Sequence, residues 1–503
     1  MKEYYQKIQN AHVYEVARET PLEFASVLSR RVKNRILLKR EDLQPVFSFK
    51  LRGAYNKMSQ LSDEARRKGV IAASAGNHAQ GVALSALKLG IKALIIMPQT
   101  TPRIKVDAVR SLGADTELCG NTYDAAYEYA CKRAEELNMT FVHPYDDPEV
   151  IAGQGTIAME ILQQCQDSID AIFVPVGGGG LIAGISAYVK HLHPEIKIIG
   201  VEPNDAACMH AAMKAGERVV LEQVGIFADG VAVRQVGEEP FRIAQQCVDE
   251  IITVSVDEIC AAIMDIYDDT RSISEPAGAL AVAGMKKYVA REAVSDKTLV
   301  VIDSGANINF DRLRYVAERA ELGEQREALL AVTIPERPGS FKAFCETIGK
   351  RGITEFNYRY SDSGEAHVFA GIELQGGLAE RDEIRTQLEA KGYAVEDMTD
   401  NEMAKAHIRF MVGGHATDVE NEVVYRFEFP ERPGALLRFL TRMGQGWNIS
   451  LFHYRNHGAA YGRVLVGMQV PDSDRMRLQT FLDEVNYVYE EETDNPAYKL
   501  FLK

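Results

Sequence analysis

One phrase of this chain occurs twice. Ile334-Pro-Glu-Arg-Pro-Gly-Ser340 returns 95 residues later as Phe429-Pro-Glu-Arg-Pro-Gly-Ala435. Ile353-Thr-Glu-Phe-Asn-Tyr-Arg359 returns 96 residues later as Ile449-Ser-Leu-Phe-His-Tyr-Arg455, so one inserted residue accounts for the difference. Each copy reads strand, Pro-Gly turn, helix, strand, strand, helix, strand. In the first copy these elements are expected near 328–334, 339–350, 353–360, 366–374, 379–391 and 393–398. That order predicts a ferredoxin-like βαββαβ unit used twice, at 327–400 and 422–503. The polar stretch 398–421 reads as the link between them.

The part before the repeat, 1–322, has a different texture. Short apolar runs at 70–73, 91–98, 171–176, 197–202 and 299–302 alternate with helical patterns such as 78–89, 102–112 and 122–137. Gly90 and Gly113 stand where helices would end. Strands without inward–outward alternation, separated by helices, predict parallel sheets covered on both faces. The fold class is therefore α/β, a body of parallel sheets followed by two small ferredoxin-like units. A net charge of −15 argues against nucleic acid or an anionic membrane as partner. The N-terminus lacks an apolar signal core, and no apolar run is long enough to span a bilayer. The seven cysteines form no C-x-x-C pair, which fits a reducing, cytoplasmic setting.

Four segments of the body carry chemistry. In Ser48-Phe-Lys-Leu-Arg-Gly-Ala54, Lys50 is flanked by apolar and aromatic residues. Desolvation there would lower its pKa and suit it to Schiff-base formation, although a lone lysine at a helix start is more often a surface group. Ser74-Ala75-Gly76-Asn77, followed by His78, lies between a strand and a helix. Exposed N–H groups at that helix start suit a substrate carboxylate; His78 is read as an ordinary satisfied helix residue. Gly177-Gly178-Gly179-Gly180-Leu181 follows the strand AIFVPV and opens a helix, an arrangement for wrapping phosphate. Gly178-x-Gly180-x-x-Ala183 also fits a dinucleotide fingerprint, with Glu202 placed as the ribose-binding acid. A nicotinamide- or flavin-linked oxidoreductase built on 177–202 thus stays open from the residues alone. No Walker lysine is present. Asp303-Ser304-Gly-Ala-Asn307 ends the last strand of the body, where a serine can face a ligand or simply form a turn.

In this order, these four segments resemble the fold-type II pyridoxal-phosphate enzymes, the tryptophan synthase β-like family, and within it the biosynthetic threonine ammonia-lyases. The doubled tail resembles that family's paired ACT-like domains. The resemblance implies pyridoxal 5'-phosphate held by Lys50, its ring hydroxyl bonded by Asn77, its phosphate cradled by Gly177, Gly178, Gly179, Gly180 and Leu181, and its ring nitrogen met by Ser304. It implies substrate contacts from Ser74, Ala75, Gly76 and Asn77, and conversion of L-threonine to 2-oxobutanoate and ammonia, with L-serine giving pyruvate. Related serine racemases carry serine where this chain has Ala75, so little racemisation is expected. Feedback inhibition by isoleucine, opposed by valine, is implied for the tail, near Gly339, Phe341, Phe356, Gly434, Leu437 and Phe452. A homotetramer is the family expectation. Ala228-Asp229-Gly230 is similar to a cation-binding segment of those relatives, but its surrounding ligands are not legible and no metal is assigned. Asp265, Asp268 and Asp269 read as a solvated helix end, and Glu275-Pro-Ala-Gly-Ala279 matches the family without an evident role beyond a turn. An amino-acid sensor with an inactive body is the remaining alternative.

Overall fold

The apolar runs of the body form two parallel sheets in a computed structural model that describes residues 2–335, 340–349, 351–358, 365–411, 419–430, 439, 442–443, 447–455 and 461–503. The larger sheet has six strands in the spatial order Leu22–Phe24, Arg35–Arg40, Thr298–Asp303, Ala171–Pro175, Lys197–Pro203 and Glu250–Val254. Only its first pair is antiparallel. The smaller sheet orders Asp115–Leu118, Ala93–Met97, Val70–Ala73 and Thr140–Phe141, all parallel. Every residue of Val70–Ala73, Ala93–Met97 and Ala171–Pro175 is buried, as a sheet covered on both faces requires. The expected helices appear at Asn77–Leu89, Arg103–Ser111 and Tyr123–Leu137, and Gly90 closes the first with φ 63°.

The chain divides into two compact units, Met1–Asn309 and Phe310–Lys503. The helix Arg312–Gly323 falls in the second unit, whereas the sequence reading ends the body at 322. Its Leu322 is buried in a cluster with Leu329, Ala331 and Met403 of that unit, which is why it groups there.

The second unit holds two four-stranded antiparallel sheets of the same topology. One orders Ile353–Tyr358, Glu365–Glu373, Glu327–Pro335 and Ala394–Asp397; the other orders Asn448–Arg455, Tyr461–Gln469, Glu422–Pro430 and Val488–Glu491. The repeat in sequence is thus a repeat in pairing. The stretch between them is more than a polar link. Its helix Glu402–Ala406 buries Met403, Ala404, Lys405 and Ala406, with Asn401 capping the start. Met403 and Ala404 share a core cluster with Leu329 and Phe369 of the first sheet, Val424 and Leu465 of the second, and Tyr498 and Phe501 of the last helix. Lys405 tolerates burial because Glu402 lies 2.8 Å away.

Candidate active site

The signature segments meet at one cavity of the first unit, about 850 Å³ in volume. Lys50, Ser74, Ala75, Gly76, Asn77, Gly177, Gly178, Gly179, Gly180, Leu181 and Ser304 all line it. The reason is topological. Ser74, Gly177 and Ser304 each follow the C-terminal end of a parallel strand, where ligand crevices of such sheets open. Lys50 arrives differently. After Arg35–Arg40 the chain makes a short 3-10 turn, Glu41–Leu43, passes Phe47 at φ 55°, and starts the helix Lys50–Ser59. This loop is stitched to the Ser304 loop: the Phe49 N–H donates to the Ser304 carbonyl at 3.3 Å, and the Ala306 N–H to the Phe47 carbonyl at 2.9 Å.

The lysine helix is held from behind. Arg52 is fully buried and donates to both carboxylate oxygens of Glu41, at 2.8 Å each, and of Glu160, at 2.6 and 3.0 Å. Lys39 donates to Glu160 at 2.6 Å, so two cations and two anions neutralise one another out of water. Neighbouring helices approach so closely that a Cβ on Gly153 would lie 2.5 Å from the Arg52 carbonyl, and one on Gly81 would lie 2.9 Å from the Leu51 nitrogen. Lys50 itself has its amine 3.3 Å from the Pro144 carbonyl and 5.2 Å from the Phe49 ring centre. Burial lowers its pKa to about 8, against a smaller upward pull from Glu275.

The glycine segment makes a donor cradle. The N–H groups of Gly177 to Leu181 donate to no protein acceptor among the described residues, and they stand at the start of the helix Gly180–Leu192. Gly179 turns with φ 92°, and a Cβ on Gly178 would lie 2.2 Å from the Tyr145 ring. At the other helix start, the N–H groups of Asn77 and His78 are likewise uncommitted, while Ser74 Oγ accepts from the Gly76 N–H at 3.2 Å. His78 also lines the cavity, but its ring is tied to the backbone. Its Nε2 lies 2.9 Å from the Val142 carbonyl, and burial, with Lys50 nearby, lowers its pKa to about 3, so it is neutral at working pH. Ser304 is 3% exposed, with Oγ 3.4 Å from the Ala277 carbonyl.

The dinucleotide alternative loses its acid. Glu202 is fully buried and accepts from the N–H groups of Met209 and His210 at 2.8 and 2.7 Å, capping the helix Cys208–Ala215. No carboxylate oxygen is left to meet a ribose.

The comparisons with known proteins agree with the geometry. The profile of pyridoxal-phosphate dependent enzymes matches residues 13–305, and that of the C-terminal regulatory domain of threonine dehydratase matches 318–408 and again 413–502. The biosynthetic L-threonine dehydratase IlvA of Burkholderia multivorans is 56% identical over 503 residues, covering 99% of each chain. The chain belongs to the biosynthetic threonine dehydratases. Among solved structures, the processed form of threonine deaminase isoform 2 from Solanum lycopersicum is 51% identical with a TM-score of 0.62, covering 63% of this chain and 93% of that one. The serine racemase of Dictyostelium discoideum is 31% identical with a TM-score of 0.57, covering 61% and 99%. As a member of this family the chain depends on pyridoxal phosphate. The residues present fit that group: a desolvated amine for its aldehyde, five free N–H groups for its phosphate, and a buried hydroxyl at Ser304 for its ring nitrogen.

Three acidic segments differ from expectation or gain a place. Of the three acids read as a solvated helix end, Asp268 is exposed, but Asp265 is 3% exposed and paired with Arg31 and Lys286, and Asp269 caps the helix Ser26–Val32 through the Val27 and Leu28 N–H groups. Their partners lie more than two hundred residues upstream or on another helix, which no local pattern reveals. Asp229, of the segment similar to a cation site, accepts from Lys105 at 2.6 Å. Glu275 and Asn307, given no role by the sequence, both line the cavity and both bond Asn77. Of the residues named for the tail, Gly339, Gly434 and Leu437 lie outside the described residues. Phe341 and Phe356 fall within Ser340–Ile348 and Ile353–Tyr358, and Phe452 is exposed on Asn448–Arg455.

Proposed function

We propose that this chain dehydrates and deaminates L-threonine to 2-oxobutanoate and ammonia, and turns L-serine into pyruvate in the same cavity. The observation that carries the reading is the convergence, in one cavity, of a half-buried amine, a cradle of N–H groups and a second free helix start. The family membership and the relatives named as threonine dehydratases support it.

Bound pyridoxal phosphate supplies an aldehyde for the substrate amine and a conjugated ring that withdraws electrons from the α-carbon. Lys50 is the residue that would hold it, Asn77 would meet its ring oxygen, Gly177 to Leu181 its phosphate and Ser304 its ring nitrogen. A hydroxyl at Ser304, unlike a carboxylate, does not keep that nitrogen protonated, so the ring is a weaker sink and prompt loss of a β-group is favoured over transamination. The N–H groups at Asn77 and His78, with Ser74 beside them, suit the substrate carboxylate. Lys50, with a pKa lowered to about 8 by burial, would take the α-proton as base and is one source of the proton for the leaving β-hydroxyl. Ala75 offers no proton to the opposite face, which disfavours racemisation.

For the tail we read amino-acid effectors, isoleucine inhibiting and valine opposing, bound near the turn after the first strand of each unit, in a homotetramer. An effector acts only if it prefers one of two states of the enzyme. The matched regulatory profile supports control of this kind. No helix among the described residues is long and apolar enough to cross a membrane; a cytoplasmic setting is our reading of the scattered cysteine spacing.

The test is ketoacid release from threonine, with and without isoleucine, in parent and Lys50→Ala enzymes. The parent should release it and be inhibited, and Lys50→Ala should lose both turnover and the yellow colour of the bound cofactor. A colourless, active Lys50→Ala enzyme would overturn the reading.

A further inference from the structure

Two segments that the sequence left without a task, Glu275 and Asn307, sit on either side of Asn77 in one hydrogen-bonded row. Asn307 Nδ2 donates to the Val46 backbone carbonyl at 2.8 Å and to Asn77 Oδ1 at 2.7 Å. Asn77 Nδ2 donates to Glu275 Oε1 at 2.6 Å. An amide side chain has an oxygen end and a nitrogen end of nearly equal shape, so its orientation is set by what surrounds it. Here the surroundings leave no choice. A backbone carbonyl only accepts, so Val46 requires the nitrogen of Asn307 to face it. Asn307 thereby spends both N–H groups as donors and requires an acceptor, the oxygen of Asn77. The nitrogen of Asn77 is then turned to the carboxylate of Glu275, which accepts. Glu275 is itself fixed: it is 3% exposed, its N–H donates to the Gly305 carbonyl at 3.0 Å, and a Cβ on Gly305 would lie 2.8 Å from its Oε1.

We propose that the row Val46, Asn307, Asn77, Glu275 runs in one direction and fixes Asn77 as a hydrogen-bond donor toward the cofactor's ring oxygen, making Asn307 and Glu275 positioning residues for that contact. The proposal rests on the reading that Asn77 meets the cofactor. One N–H of Asn77 goes to Glu275, and the second meets no acceptor among the described residues, on a side chain that lines the cavity. A site organised this way favours an electron-rich oxygen at that position over a hydroxyl that would itself donate.

The polarity can be reversed by chemistry of almost unchanged shape. Asn307→Asp offers Asn77 an acceptor where it needs a donor. Asn307→Asp with Glu275→Gln lets both bonds to Asn77 form again, with the Asn77 amide turned over. The experiment titrates apoenzyme with pyridoxal phosphate, following the visible absorption of bound cofactor, and records the thermal midpoint of each apoenzyme, without any turnover assay. Asn307→Asp should weaken cofactor binding about tenfold or more, the order of one charge-assisted hydrogen bond lost. The double variant should regain only the part of the thermal midpoint that the bonds to Asn77 supply, the Val46 carbonyl still lacking its donor, and should bind as weakly as Asn307→Asp, since the turned amide no longer offers its N–H. If the two recover together, the row is structural only and the proposal fails. It fails as well if Asn307→Asp binds within twofold of the parent. Asn77→Ala separates the two layers: unchanged cofactor affinity there would remove the underlying contact of Asn77, whereas weakened binding in Asn77→Ala with normal binding in Asn307→Asp would remove only the directional row. Should Asn307→Asp fail to fold, the double variant, with its bonds to Asn77 remade, decides by its affinity alone.

Discussion

Arg52→Met keeps the length of the side chain at the back of the lysine helix and deletes its charge. In the parent, Arg52 supplies hydrogen bonds to Glu41, Glu160, Thr156 and the Arg18 carbonyl, and it, Lys39, Glu41 and Glu160 are all fully buried. The variant leaves two carboxylates facing one lysine. Breaking a buried pair by removing one partner costs about 3–5 kcal/mol, because the charge left behind has lost its water. At ~2.1 cal/mol/K per residue, the unit Met1–Asn309 unfolds with an entropy near 0.65 kcal/mol/K, so Tm should fall by about 5–8 °C. The pH dependence gives the sharper check. Burial pushes the Glu41 carboxyl up, but Arg52, with Lys39 and Thr20, more than reverses this and holds it below its ordinary value. In the parent, that group therefore contributes stability above the usual carboxylate range, lost only as pH falls through the depressed pKa. In the variant, burial prevails and the folded pKa rises, so stability is lost as pH rises through it. The deficit between the two enzymes should be larger at pH 8 than at pH 5.5. Thermal unfolding followed by circular dichroism, at one scan rate and saturating cofactor, measures it. A deficit under 2 °C at pH 8, or one that grows toward acid, would show that the four charges do not act as this balance requires.

Other consequences follow from the same geometry. With the Lys50 pKa lowered to about 8, cofactor uptake by the apoenzyme should quicken roughly tenfold per pH unit below that value, as the neutral amine accumulates, and level off above it; stopped-flow uptake that keeps climbing past pH 9 would mean an ordinary lysine. Gly178→Ala places a Cβ 2.2 Å from the Tyr145 ring, so the ring or the loop must move. Overpacking of this kind costs about 1–3 kcal/mol, and cofactor affinity by titration should fall at least about tenfold. A chain ending at Asn309, where the first unit closes on its own core, should still release ketoacid from threonine but ignore isoleucine; persistent inhibition would place the effector site in the first unit.

The parts of this protein that were legible in its sequence are those where local chemistry and local geometry coincide. The strand 70–73 is four residues of buried apolar chain whatever surrounds it, and a run of four glycines between a strand and a helix can do little except expose N–H groups. The doubled Pro-Glu-Arg-Pro-Gly phrase announced a doubled topology because register in an antiparallel sheet follows spacing, and both sheets keep the same strand order. Charged residues behave otherwise. Asp265 looks like any acid on a helix, and its burial depends on Arg31, which the chain supplies 234 residues earlier. Arg52 reads as part of a motif, but its reason lies in Glu160, 108 residues away. A charge carries no sequence mark of whether a partner will meet it, so burial of charge is decided entirely by the fold. The same holds for amides. Asn307 could be seen to end a turn, but its task depends on Val46, 261 residues distant, presenting a carbonyl and never a donor. The polar skeleton of the site is therefore the part least visible beforehand and the part on which position of the reactive groups most depends: an amine at Lys50 is chemically useful only while the neutralised charges behind it hold the helix, and a donor at Asn77 only while the row beside it forbids the amide to turn.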